Sequence, residues 1–126
     1  MSKSKRRLTN AELEILSVLW QHGPSTVRQV HTVLGKQTGY TTVLKLLQIM
    51  VAKDLVKRDE THRTHVYQSK ASAEQTQKQL VKDLLHRAFG GSVKTLLLHV
   101  LAAKRATPAE LTEIRKVLDS YEPDRA

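Results

Sequence analysis

With 126 residues, 40% of them hydrophobic and 26% charged, the chain has the composition of a soluble globular protein: one ordinary domain, or two small ones with little core each. It contains no cysteine, which excludes disulfides and thiolate metal sites, and with one Trp, three Tyr and one Phe its cores must be aliphatic. The net charge is +9, and residues 1–70 hold 12 basic and five acidic side chains against nine and seven in residues 71–126, so the positive charge belongs to the first half.

That asymmetry points to a polyanionic partner for the first half, most often nucleic acid. The N-terminal "MSKSKRRLTNAELEI" is basic but carries no apolar h-region. The longest apolar stretch, "TLLLHVLAA", is short and interrupted by His99. No membrane insertion is expected, and the cytoplasm is the expected location.

In chain order, "LTNAEL" predicts a helix beginning at Asn10, with Thr9 as N-cap, Glu12 completing a capping box and Leu8 stapled on Leu13. Leu13, Leu16, Leu19 and Trp20 carry that helix to the stop "HGP" at 22–24. Trp20 reads as a core residue. "ST" at 25–26 caps a shorter second helix bearing Val27, Val30 and Leu34, which "GKQTG" at 35–39 ends. A third helix, "GYTTVLKLLQIM", is capped by Gly39 or Thr38 and closes near Asp54. At 100° per residue Val43, Leu46, Leu47 and Met50 share one face, while Thr41, Lys45 and Gln48 line the opposite one.

The period then changes. "LVKR" and "HVYQ" around the polar "DETHRT" predict a β-hairpin over residues 55–70 with a basic tip. Ser72 with Gln75 starts a long helix whose stripe is Leu80, Val81, Leu84, Leu85 and Ala88, and "FGG" at 89–91 breaks it. A very apolar helix follows from Val93 to about Ala103. "ATPAEL" sets Thr107 at N-cap, Pro108 at N1 and Glu110 at N3 of a last helix with Leu111, Ile114, Leu118 and Tyr121 on one face.

Three helices followed by a hairpin, with short joints and a basic excess, is the order of a winged helix-turn-helix, in which the third helix lies in the major groove. The fold class is therefore mainly α with a small β-hairpin: a winged helix-turn-helix in residues 1–71 and a helical dimerisation domain in 72–126. Thr41, Thr42, Lys45 and Gln48 are the candidate base readers, since Lys donates to guanine, Gln pairs with adenine and Thr serves bases or phosphates. Tyr40, the wing residues Arg58, His62 and Arg63, and the basic arm Lys3, Lys5, Arg6 and Arg7 are candidates for phosphates or the minor groove.

Val93, Leu96, Leu97, Val100 and Leu101 are too apolar on too many sides for a small helical subdomain to cover, and read as a dimer core. The six histidines show no metal-ligand spacing. No activated nucleophile, phosphate-cradling Gly-rich loop or spaced carboxylate pair is present, so no cofactor, no metal and no enzyme activity is expected. Two rival readings share these features. One is a sequence-tolerant architectural DNA binder, the other a protein-interaction adaptor built on a winged helix.

"LTNAELEILSVLW", "GYTTVLKLLQIM" followed by "KDLVKRD", and "THRTHVYQSKAS" also resemble the penicillinase-repressor family of bacterial transcription regulators, over residues 8–72. That resemblance implies a homodimer with an N-terminal winged helix and a C-terminal helical dimerisation region, repressing promoters by binding a two-fold double-stranded DNA operator. It also implies a partner for some members, a membrane sensor protease that cuts an Asn-Phe bond in the dimerisation region. The place of that bond here is held by His99 and Val100. Neither that cleavage specificity nor a β-lactam stimulus is then implied, and the C-terminal cysteine cluster of copper-responsive members has no counterpart.

Overall fold

The computed structural model describes residues 8–35 and 37–121. Among them the elements are α1 (Asn10–His22), α2 (Val27–Leu34), α3 (Tyr40–Ala52), β1 (Val56–Asp59), β2 (Val66–Ser69), α4 (Ala73–Phe89), α5 (Val93–Ala103) and α6 (Pro108–Ser120). The chain is mostly helical with one small antiparallel hairpin, as a winged helix followed by a helical region requires. The chain divides into two compact units between Gln79 and Leu80, within α4.

In the first unit, reciprocal caps set the helix starts. Thr9 Oγ1 accepts from the Glu12 amide at 3.1 Å while Glu12 Oε1 accepts from the Thr9 amide at 2.9 Å. Thr26 and Gln29 repeat the arrangement at α2, and Ser72 and Gln75 at α4. Each such cap is worth about 1 kcal/mol and fixes where the helix begins. At α3 the N-cap is Gly39, which offers no side chain.

The apolar stripes then pack together. Ile15, Leu16, Val18 and Leu19 from α1, Val27 and Val30 from α2, Val43, Leu47 and Met50 from α3, and Val56 and Tyr67 from the hairpin form one buried core. Full burial of a side chain of this kind contributes about 1.5–3 kcal/mol. Leu46, assigned by spacing to the buried face of α3, is half-buried at its margin. α3 stops at Ala52 rather than near Asp54. Asp54 turns the chain with φ +68°, and the Leu55 amide is held by the Met50 carbonyl at 2.9 Å. Leu55 therefore closes the helix, and β1 begins one residue later than the apolar run suggests.

β1 and β2 pair with Val56 opposite Ser69 and Arg58 opposite Tyr67. Ser25 adds an isolated antiparallel bridge, exchanging backbone hydrogen bonds of 2.9 and 2.8 Å with Tyr67. The loop between α1 and α2 is thereby joined to the wing. Two further contacts lock this unit. Lys53 Nζ donates to Glu12 Oε2 at 2.7 Å, and Trp20 Nε1 donates to Ser69 Oγ at 3.0 Å and to the Ala71 carbonyl at 2.9 Å.

The second unit comprises the rest of α4 with α5 and α6. Gly90 and Gly91 adopt φ of +57° and +84°, and the Gly91 amide reaches back to the Leu85 carbonyl at 2.9 Å. This closure needs residues that enter left-handed space without strain, and it ends α4 where "FGG" predicts. Ser92 caps α5 by accepting from the Thr95 amide, and Thr107 caps α6 by accepting from Glu110, with Pro108 first in the helix. Among residues 80–121 no side chain is fully buried. Leu111 and Ile114 are half-buried, whereas Leu118 is exposed and Tyr121 caps the C-terminus of α6 in the open.

Candidate nucleic-acid interface

α3 has two unlike faces because its apolar residues recur at three- and four-residue intervals. Val43, Leu47 and Met50 are completely buried. Thr41, Lys45 and Gln48 are exposed on the opposite side, and Thr42 is exposed beside that line. A core-anchored helix that shows a row of hydrogen-bonding side chains to solvent has the geometry needed to read the edge of a groove.

Tyr40, the first residue of α3, is 43% exposed and held between two α2 side chains. The Arg28 guanidinium carbon lies 6.0 Å from its ring centroid, and the His31 ring meets it edge-on at 5.8 Å. Arg63 comes to the same place from the wing. Together Val27, Arg28, Tyr40, Leu44, Arg63, Thr64, His65 and Tyr67 line a cleft of about 290 Å³. Tyr40 and Arg63 are among the residues that the sequence marks for DNA contact, whereas Arg28 is not, being an isolated basic residue until α2 packs against α3 and the wing.

The remaining wing residues differ in their engagements. Arg58 faces the same side of the hairpin as Val56, and its Nε donates to Glu60 Oε2 at 2.6 Å. Hydrogen bonding with the opposed Tyr67, and then with Glu60, holds the guanidinium above its ordinary pKa. The Asp59 carboxylate accepts from both the hydroxyl and the amide of Thr61, which hold its pKa below the usual carboxylate value and tighten the turn. His62 and Arg63 are exposed beyond that turn. Lys3, Lys5, Arg6 and Arg7 lie outside the described residues.

In the second unit, Val93 is 68% and Val100 54% exposed, Leu97 is exposed, and Leu96 and Leu101 are half-buried. Among the described residues no group of three or more His, Asp or Glu side chains is placed to hold a metal ion. No helix among them is long and apolar enough to cross a membrane.

A three-helix core with a hairpin wing, presenting a polar row on its third helix, defines a winged helix-turn-helix protein of the gene-regulatory kind. The sequence comparisons specify which. The family model described as penicillinase repressor matches residues 8–120, and the chain belongs to that family of transcriptional repressors. It is 32% identical over 120 residues to the transcriptional regulator BlaI of Mycobacterium tuberculosis, covering 92% of this chain and 86% of that one. The penicillinase repressor of Staphylococcus aureus is 19% identical over 121 residues, covering 94% and 96% of the two chains. That of Bacillus licheniformis is 20% identical over 117 residues, covering 91% of each.

Proposed function

We propose that the protein is a transcriptional repressor that binds a two-fold symmetric DNA operator as a homodimer. The observation that carries this reading is the exposed row Thr41, Thr42, Lys45 and Gln48 on a helix whose other face is fully buried. These side chains read base edges, while Tyr40, His62 and Arg63, with Arg58 bracing the wing, meet the backbone. The arm Lys3, Lys5, Arg6 and Arg7 adds charge toward phosphates or the minor groove. Dimerisation through Val93, Leu96, Leu97, Val100 and Leu101 is supported by the aliphatic surface that α5 leaves exposed. A DNA-bound role puts the protein in the cytoplasm.

The division of labour supports a domain organisation in which residues 1–71 form the DNA-binding domain and 72–126 the dimerisation domain. His99 and Val100 lie inside α5, so induction need not use an Asn-Phe cleavage. Any event that loosens the dimer region lowers operator affinity. Genomic footprinting with the full-length protein tests the proposal. Protected sites should contain inverted half-sites about one or two helical turns apart. Protection spread evenly over unrelated sequences would replace the repressor with an architectural binder.

A further inference from the structure

We propose that the cleft between α2, α3 and the wing seats one backbone phosphate of duplex DNA, with Arg28 as its principal ligand, and so fixes the angle at which α3 enters the groove. The inference rests on the DNA-binding reading above. It goes further by assigning Arg28 and His65 and by defining a single bound group.

Charge is the first argument. Arg28, Arg63 and His65 line the cleft with no carboxylate among them. Elsewhere in this unit three basic side chains are matched, Lys53 with Glu12, Arg58 with Glu60 and Lys70 with Asp54. Among the described residues neither Arg28 nor Arg63 has such a partner. A concave site with uncompensated guanidinium groups concentrates the field on whatever anion enters it.

Preorganisation is the second. The Arg28 guanidinium lies over the Tyr40 ring at 6.0 Å, and His31 braces that ring from its edge. A guanidinium held against an aromatic face keeps its donor fork available for two oxygens, which is the geometry phosphate recognition uses. Tyr40 also opens α3, whose Gly39 cap contributes no side-chain acceptor. The positive end of α3 thus begins beside the cleft without a side-chain acceptor to offset it, which favours an anion there. Val27, Leu44 and Tyr67 supply an apolar floor that limits water and strengthens each charged hydrogen bond.

A phosphodiester clamped here touches α2, α3 and the wing together. It carries no sequence information itself. It sets the position from which Thr41, Lys45 and Gln48 reach the bases.

The test uses full-length protein, a duplex recovered by footprinting, and copies of it with a single neutral methylphosphonate at successive backbone positions. One position in each half-site should weaken the wild type about tenfold and leave Arg28→Ala nearly unchanged, and Arg28→Ala should flatten the salt slope by about one unit per subunit. Arg28→Lys, which keeps the charge without the fork, should retain the slope but bind less tightly than wild type. Circular dichroism establishes that each variant is folded. If every neutralised position weakens wild type and Arg28→Ala by the same factor, the cleft holds no phosphate. If inorganic phosphate binds the wild type and not Arg28→Ala while no neutralised backbone position depends on Arg28, the seat belongs to a free phosphorylated ligand and the proposal falls. A wild type with no salt-dependent affinity for any duplex would instead remove the DNA-binding reading itself.

Discussion

The Glu12 carboxylate, 1% exposed, accepts a hydrogen bond from the Lys53 ammonium at 2.7 Å and so ties the first turn of α1 to the C-cap of α3. Burial alone would push the Glu12 pKa up, but the hydrogen bonds from Lys53 and from the Thr9 amide outweigh it and hold the group below its ordinary 4.5. A carboxylate with a depressed folded-state pKa contributes stability that is fully present above its unfolded value and lost as the pH falls through the folded one. Wild type minus Glu12→Gln stability should therefore be constant near neutrality and shrink below about pH 4.5, the ordinary value. Denaturant melts of both proteins from pH 3 to pH 7 check this, and a difference that grew toward acid would contradict it. At neutral pH, Glu12→Ala should destabilise by about 2–4 kcal/mol, since it removes a cap and strands Lys53 at the edge of the core.

Trp20 anchors the exit from the wing. Its indole N–H is shared between Ser69 Oγ and the Ala71 carbonyl, and Ser69 Oγ itself donates to that carbonyl at 2.6 Å. Trp20→Phe keeps most of the packing but removes the donor, and should lower stability by about 1–2 kcal/mol. Amide exchange near residues 69–72 should quicken more than exchange in α2. Uniform quickening would mean that the ring's bulk, and not its N–H, is what matters.

Local chemistry made most of the first unit legible in the sequence. Thr9 with Glu12, Thr26 with Gln29, and Ser72 with Gln75 mark helix starts because a hydroxyl and a carboxyl or amide three residues apart can satisfy only each other's backbone. The exposure of Thr41, Lys45 and Gln48 follows from helical period alone. Partners distant in sequence did not show. Trp20 lies 49 residues from Ser69 and Glu12 41 from Lys53, so Trp20 read as plain core and Glu12 as plain cap. Arg58 read as one more wing cation, and only the strand register sets it opposite Tyr67. The basic cleft was invisible for the same reason, because Arg28 belongs to α2, Tyr40 to α3 and His65 to the loop before β2.

If α3 reads bases as proposed, a contrast between DNAs is measurable. Lys45→Ala or Gln48→Ala should weaken operator binding by about 1–3 kcal/mol and random duplex by less. Both side chains are solvent-exposed, so stability should hardly change. Fluorescence anisotropy on the two duplexes at one salt concentration supplies the numbers. Equal losses would reassign these residues to phosphate contact and favour a sequence-tolerant binder.

The two compact units imply a separable division of labour. Residues 8–79 contain the whole buried core, together with the Trp20 contacts and the α4 cap, so a fragment ending at Gln79 should fold alone. Residues 80–121 contain no fully buried side chain and expose Val93, Leu98 and Val117, so they need an apolar partner that a second copy can provide. If that copy joins two winged helices, the second half-site is met at an effective concentration near millimolar, and full-length protein gains on the order of 10²–10⁴ in affinity without a new DNA contact. On a duplex with two half-sites the fragment should lose that factor, whereas on a single half-site it should bind like the whole chain. Leu97→Glu in the intact protein should give the same loss, with a halved mass in sedimentation equilibrium and an unchanged melt of the first unit. Were the folded fragment to bind two half-sites as tightly as full-length protein, the exposed aliphatic face of α5 would have to serve a partner other than a second copy.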